Sequence, residues 1–414
     1  MRRKMIFRLG LTLVIFVGVL LYYMIKMEKH DDRVKDDIHS NVRVADTLEE
    51  PSVIEDKRES HLAAMDTDDK SQQANNNQVT SEWSGEIMHL SVVACGAPRV
   101  EETMVLLKSA ILLSKRKLVF HVFAEDELHQ SFKDQLSFWP EEFQKKFRFN
   151  IYSITFPAGH VSEWKRLFKP CASQRLFIPV LLKDVDSILY VDTDILFLRP
   201  VDDVWDHFHK FNSSQFAALA PEHEDEQTSW YKRFARHPYY GHLGVNSGVM
   251  LMNLTRMRKF DWLTHVLKYY QEYKMKITWG DQDVINIIFH YFPERLYVYG
   301  CDWNYRPDHC MYMSTCKLAE QAGISVLHGN RGVLHNDKQP TFKAIYDAFS
   351  QHHFGDSLQH SLLVKMKQNL GRTQVTNCGQ VADIFIKQFE QQAIEWQKRR
   401  DEQWNLGQDT VKQV

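Results

Sequence analysis

No excess of charge of either sign is present: 51 Lys and Arg stand against 53 Asp and Glu, a net charge of −2 over 414 residues. That balance argues against a protein drawn to nucleic acid by its charge. No Gly-x-Gly-x-x-Gly turn occurs, which argues against a nicotinamide-dependent Rossmann enzyme. The cluster Cys301, Cys310 and Cys316 contains no Cys-x-x-Cys pair, so zinc is not expected there. With Cys95, Cys171 and Cys378 these residues fit disulfides in an oxidising compartment, and spacing does not fix their pairing. No small-x-small cleavage site follows the N-terminal apolar run, where the chain reads Met24-Ile25-Lys26-Met27; a cleaved signal peptide would need one.

What is there begins with that run. Arg2, Arg3 and Lys4 precede 17 nearly uninterrupted apolar residues, Leu9 to Ile25. Ile6 and Phe7 extend the run across Arg8, whose head can snorkel to the interface. The basic tip favours the cytosol. The expectation is a single-pass type II membrane protein. Residues 1–5 form its cytosolic tail, 6–26 its signal-anchor transmembrane helix and 27–87 a disordered stem. Then come a catalytic domain at 88–390 and a helical tail at 391–414, all in the lumen of the ER or Golgi. The stem is acidic and polar, with Gln72-Gln73, Asn75-Asn76-Asn77 and almost no aromatics, so it buries too little apolar surface to offset its ordering entropy. Asn212-Ser213-Ser214 and Asn253-Leu254-Thr255 are glycosylation sequons consistent with a lumen. At 44% apolar residues the whole chain can bury a large core.

The chain is organised around Ile188 to Leu198, an apolar run interrupted by Asp192-Thr193-Asp194. It reads as one buried strand, in which residues two apart share a face. Two buried carboxylates are costly unless a cation or hydrogen bonds satisfy them. A pair of oxygen ligands suits Mg²⁺ or Mn²⁺, with a substrate diphosphate completing the shell. Asp-x-Asp also occurs at Asp66/Asp68, Asp184/Asp186 and Asp281/Asp283, but only the 192/194 pair ends a long apolar run.

Strand and helix patterns alternate along the domain: strands at 90–96, 118–123 and 149–154, a helix over Met104 to Leu112. That alternation predicts an α/β fold with a mostly parallel sheet. Ligands bind outside the carboxyl ends of such strands, which places Ala94, Cys95 and Gly96, with Glu125 and Asp126, near a base and ribose. A helix is predicted over 168–179, and Arg175 within it needs an anion, either a site carboxylate or a substrate phosphate. Asn246, Ser247 and Gly248 open an apolar strand and offer an amide and a hydroxyl to a sugar. Asp281 is a candidate helix N-cap, or with Gln282 a contact to the sugar. His328 reaches the aspartates if its strand lies beside the central one, and His335 is the alternative ligand. Arg331 and Lys338 would meet the diphosphate. Trp230, Tyr239, Tyr240, Trp303 and Tyr305 are candidates for stacking on an acceptor. The pattern over 381–404 reads as a surface helix.

The ordered series Tyr190 to Ile195, Asn246-Ser247-Gly248-Val249, Gly280-Asp281-Gln282-Asp283 and Leu327-His328-Gly329 resembles glycosyltransferase family 8. Within it, the stretches Phe168 to Phe177, His237 to Tyr240, Trp303 to Cys310 and Leu327 to Val333 resemble the glucoside xylosyltransferases. The resemblance implies a GT-A fold and a retaining transfer of xylose from UDP-xylose to O-linked glucose. The acceptors would be epidermal-growth-factor-like repeats, as in Notch, and the linkage α1,3. It implies Mn²⁺ (or Mg²⁺) on Asp192, Asp194 and His328. It also implies sugar contacts at Asn246 and Ser247, Asp281 and Gln282 facing the anomeric carbon, and Gly329 in the nucleotide site. The family often carries His-x-x-Gly-x-x-Lys-Pro-Trp. Here His328-Gly329-Asn330-Arg331 is followed by Lys338-Gln339-Pro340. Rival readings are a family 8 transferase using UDP-glucose or UDP-galactose, and a non-catalytic UDP- or carbohydrate-binding protein.

Overall fold

Strand β1 (Met88–Ala94) alternates its side chains between two apolar layers, and so do the strands beside it. Leu90 and Val92 enter one core with Phe120, Val122, Leu189 and Val191; Ile188, Tyr190, Met250 and Met252 enter the other. Burial on both faces is what a largely parallel sheet under helices requires. The computed structural model describes residues 86–157, 161–165, 167 and 171–411. The expected cytosolic tail, the membrane helix and nearly all of the stem lie outside the described residues, as do Phe168 to Pro170. Among the described residues no helix is long and apolar enough to cross a membrane.

The main sheet adds β2 (Leu118–Ala124), β3 (Phe147–Ser153), β4 (Ser187–Val191), β6 (Ala217–Pro221), β7 (Val245–Asn253) and β8 (Leu296–Val298), in the order β3-β2-β1-β4-β7-β6-β8. Neighbours are parallel except β7, which is antiparallel to β4 and to β6. This is the expected α/β fold with a mostly parallel sheet. A second, two-stranded antiparallel sheet pairs β5 (Ile195–Phe197) with β9 (Val326–His328). The antiparallel β7 matters for the site. Its amino end, at Val245 and Asn246, meets the carboxyl end of β6 across the Ala220–Asn246 and Pro221–Val245 pairs. It therefore lies at the same edge as the carboxyl ends of β1 and β4.

Helix α1 (Pro98–Leu113) returns from β1 and buries Met104, Leu107 and Ile111 in the first core. Helix α2 (Asp281–Tyr291) buries Ile285, Ile288 and Phe289 in the second. The C-terminal helix α3 (Ile384–Val411) runs without a break past residue 390. It buries Ile384, Phe385, Phe389, Ala393 and Trp396 in the first core, so this segment is an integral helix of the domain rather than one lying on its surface. All six cysteines are paired, as Cys95–Cys171, Cys301–Cys316 and Cys310–Cys378.

Several histidines are buried where no neighbouring anion outweighs the cost of holding a proton. His89 donates to or accepts from His121 at 2.8 Å, and His121 meets the Tyr152 hydroxyl at 3.0 Å. Burial lowers His89 to about 4 and His121 well below the usual value. Burial, helped by nearby cations, also lowers His207 and His352 to about 4. The unfolded chain therefore binds more protons below the ordinary histidine pKa of 6.5, and stability is lost as pH falls from there towards 4. His237, raised by Asp283 against the opposing effect of its burial, works the other way. Thermal melts are expected to give a lower Tm at pH 5 than at pH 7, with His89→Asn flattening the difference. A Tm flat across that interval would contradict the assignment of these histidines as neutral.

Candidate active site

At the shared edge the chain leaves β4 after Val191, turns through Asp192-Thr193-Asp194 and becomes extended again as β5. The unbroken strand expected over Ile188 to Leu198 is thus corrected to two strands joined by a turn. A buried ladder could not solvate two carboxylates. The turn lets their backbone groups bond outside a ladder: Asp192 N–H donates to Gly248 O at 2.9 Å, and Gly329 N–H donates to Asp194 O at 2.7 Å. With β9 beside β5 and His328 opposite Ile195, Asp192, Asp194 and His328 each present a ligand atom within 4.8 Å of the others. His328 Nε2 lies 3.3 Å from Asp194 Oδ1 and 3.7 Å from Asp192 Oδ2.

A chain of buried amides fixes the histidine. Asn246 Nδ2 donates to Glu222 Oε2 at 2.8 Å, so its Oδ1 is the acceptor for Asn304 Nδ2 at 2.8 Å. Asn304 Oδ1 then accepts from His328 Nδ1–H at 2.8 Å. In the tautomer this selects, Nε2 turns its lone pair towards the two aspartates. Three electron-rich groups facing one another repel unless a cation lies among them, and two carboxylates with an outer-held imidazole suit a divalent ion. The residues present fit the metal expected from the sequence. His335, the alternative ligand, is not part of this set; its Nε2 lies 2.5 Å from Glu102 Oε2.

Arg175 is the pivot beside the turn. It lies in a short 3₁₀ segment, Ala172–Phe177, followed by one helical turn, Ile178–Leu181, where a longer helix was expected. Its NH2 is 2.6 Å from Asp192 Oδ1 and its Nε 2.6 Å from Asp281 Oδ2. NH1 donates to Ser247 O at 2.7 Å and to Ser247 Oγ at 3.0 Å. Burial works against the charge, but Asp192 and Asp281 more than offset it and push the pKa above the ordinary arginine value. Of the two partners the sequence left open, the carboxylates are the ones Arg175 meets.

Gly280, at φ +62° and ψ −121°, is the N-cap of α2 and makes no side-chain cap; an L side chain is strained there. The Asp281 N-cap is therefore corrected. Asp281 is buried against Arg175, and it is Asp283 that accepts the N–H groups of Thr278 and Trp279, each at 2.7 Å. Gln282 Oε1 accepts from Ser247 N–H at 3.1 Å, and its Nε2 donates to Glu222 Oε2 at 3.3 Å. Ser247, Asn246, Gln282 and Glu222 thus form one connected polar group.

Gly96, at φ +87°, follows β1 and donates its N–H to Glu125 Oε2 at 2.9 Å. The Cys95 sulfur is bonded to Cys171, so at Ala94, Cys95 and Gly96 only backbone and Glu125 remain to meet a nucleotide. Arg331 NH2 lies 2.6 Å from Asp308 Oδ2. Burial raises Asp308, yet Arg306 and Arg331 outweigh it and hold the carboxyl at about 2. Lys338 is exposed, and its side chain has no partner among the described residues. Trp303 and Tyr305 are buried in the core, whereas Trp230, Tyr239 and Tyr240 are half-buried. At the sequons, Asn212 is exposed. Asn253 is half-buried, caps the helix Leu254–Lys259 through Arg256 N–H and donates to Ser187 Oγ.

Sequence reasoning missed Glu222, Asn304 and the fully buried Arg306, which donates to the Glu222 carbonyl. It also missed Glu102, which is 1% exposed and accepts from Thr193 Oγ1 and Arg99. Glu102 carried a signal, an acidic residue on the inward face of an apolar helix. Arg99 feels the same carboxylates. Burial opposes its charge, but Glu102, then Asp194 and Asp192, raise its pKa above the usual value.

Residues 89–330 match the family described as Glycosyl transferase family 8. Glucoside xylosyltransferase 1 of Gallus gallus is 56% identical over 326 residues, covering 76% of this chain and 75% of that one. Glucoside xylosyltransferase 2 of Mus musculus is 57% identical over 314 residues, covering 73% and 70%. Glucoside xylosyltransferase 1 of Homo sapiens is 57% identical over 315 residues, covering 73% and 71%. The chain belongs to glycosyltransferase family 8, in the group of glucoside xylosyltransferases that its motifs resemble.

A Cβ at Gly248 would stand 2.2 Å from His328 Cε1 and 2.7 Å from Nδ1. Gly248→Ala is therefore expected to displace the imidazole from Asn304 and weaken Mn²⁺ binding roughly 10–100-fold, the cost typical of losing an outer-sphere partner. Calorimetric titration of a variant whose circular dichroism is unchanged checks this; undiminished affinity would remove His328 from the ligand set.

Proposed function

We infer that this chain is a retaining transferase that moves xylose from UDP-xylose to O-linked glucose on epidermal-growth-factor-like repeats, forming an α1,3 linkage. The observation that carries the reading is the convergence of Asp192, Asp194 and His328 beside Arg175 in a chain whose relatives are glucoside xylosyltransferases. A divalent ion on the three ligands, Mn²⁺ by preference, would supply Lewis-acid neutralisation of the charge on the departing diphosphate.

The chain's own groups divide the remaining work. Arg175 aims Asp192 through their ion pair, and it fixes Ser247 through two hydrogen bonds. Ser247, Asn246 and Gln282 present an amide and hydroxyl surface to the sugar, joined through Glu222. Retention needs either a nucleophile on the far face or attack from the side of the leaving group. Asp281 is 3% exposed and 2.6 Å from Arg175, and a carboxylate so held is a poor nucleophile. That favours same-face attack, with Asp281 and Gln282 orienting the sugar and stabilising its developing positive charge. We further place the domain in the lumen of the ER or Golgi, behind a membrane anchor at 6–26. Support comes from the N-terminal apolar run and from three disulfides, which persist in oxidising compartments.

The protein, incubated with Mn²⁺, a panel of UDP-sugars and a folded O-glucosylated repeat, is expected to add one pentose only from UDP-xylose. Asp194→Ala is expected to abolish the gain, as read by mass spectrometry. A hexose gain would discard the xylosyl assignment and keep the transferase. No transfer from a protein that still binds UDP would favour a binding protein.

A further inference from the structure

Glu102 is a buried carboxylate that neither the metal set nor the sugar contacts use. A buried charge is retained only where it is paired, and Glu102 has three partners. Its Oε1 accepts from Thr193 Oγ1, the residue between the two aspartates, and lies 2.5 Å from Arg99 NH1. Its Oε2 lies 2.5 Å from His335 Nε2. Glu102 therefore ties the Asp192–Asp194 turn, the first turn of α1 and the segment after β9 to one point.

The two outer partners differ from Glu102 in exposure: the Arg99 side chain is 39% exposed and that of His335 42%. Arg99 spends NH1 on Glu102, while its Nε and NH2 have no partner among the described residues. It follows the Gly96 turn directly, bonding its backbone N–H to Gly96 O at 2.9 Å, at the sheet edge where a nucleotide would lie. The basic residues first matched to the diphosphate sit differently. Arg331 is paired with Asp308, and the exposed Lys338 side chain has no partner among the described residues. His335 occupies that segment's contact with Glu102 instead.

Resting on the UDP-sugar reading above, the geometry points to Arg99 as the side chain that binds the donor's diphosphate, with Glu102 as the residue that positions it. A guanidinium with two nitrogens unpaired among the described residues matches phosphate oxygens in pairs. Sharing Glu102 with Thr193 sets it beside the carboxylates that would hold the ion. His335, on the other oxygen of Glu102, ties the segment after β9 to α1.

The test is calorimetric binding of UDP and of uridine to the full chain with Mn²⁺, alongside donor kinetics. Arg99→Ala is expected to weaken UDP roughly tenfold or more and uridine little, and to weaken UDP more than Arg331→Ala does. Arg99→Lys is expected to recover part of the loss. Glu102→Gln, which keeps the shape, is expected to raise KM for the donor and leave KM for the acceptor unchanged. Equal UDP affinity in Arg99→Ala and the parent, or a larger loss in Arg331→Ala, overturns the assignment and leaves the transferase reading standing. A parent protein that binds uridine and UDP equally, or neither, overturns both.

Discussion

The salt-bridged position of Arg175, between Asp192 and Asp281, is the constraint on which the rest of the site depends. Its guanidinium is almost fully buried, joins the metal turn to the first turn of α2, and fixes Ser247 between them. Removing one partner of such a triad strands an uncompensated charge in the interior, a loss of about 3–5 kcal/mol. The arrangement therefore ties the Asp192–Asp194 turn rigidly to Ser247 and the start of α2. The direction of its pKa, upward against the pull of burial, follows from the neighbouring carboxylates of Asp192 and Asp281.

Around that pivot the sheet does the placing. Reversal of β7 brings Asn246 and Ser247 to the edge where β4 and β6 end, so groups distant in sequence meet without long loops. Outer-sphere bonding then runs in one unbroken line from Glu222 through Asn246 and Asn304 to His328. Gly248 leaves the room this line requires. The Cys95–Cys171 disulfide closes the same region from the other side, joining the end of β1 to the residue that precedes the Arg175 segment.

Much of this was legible. Asp192, Asp194, Asn246, Ser247, Asp281, Gln282 and His328 lie at strand ends or a helix start, where polar residues interrupt an apolar pattern, and the structure gathers all seven. The α/β alternation likewise gave the sheet. Harder to read was anything fixed by a partner far along the chain. Glu222, Asn304 and Arg306 look like ordinary loop residues until the sheet closes. Glu102 acquires its meaning only because Thr193 and His335 fold onto it. Local pattern misled where an apolar run suggested a continuous strand at 188–198 that breaks at the aspartates, and where Asp281 suggested a cap that Gly280 occupies. It misled too where a longer helix was expected around Arg175, and where 381–404 read as a surface helix.

On this reading Asp192, Asp194 and His328 would hold one divalent cation against the donor's diphosphate. Anomalous diffraction from crystals grown with Mn²⁺ and UDP tests it most directly. The account predicts a single strong manganese peak within coordination distance of all three side chains and of a phosphate oxygen. A peak elsewhere, or UDP bound with no peak among the three, would contradict it.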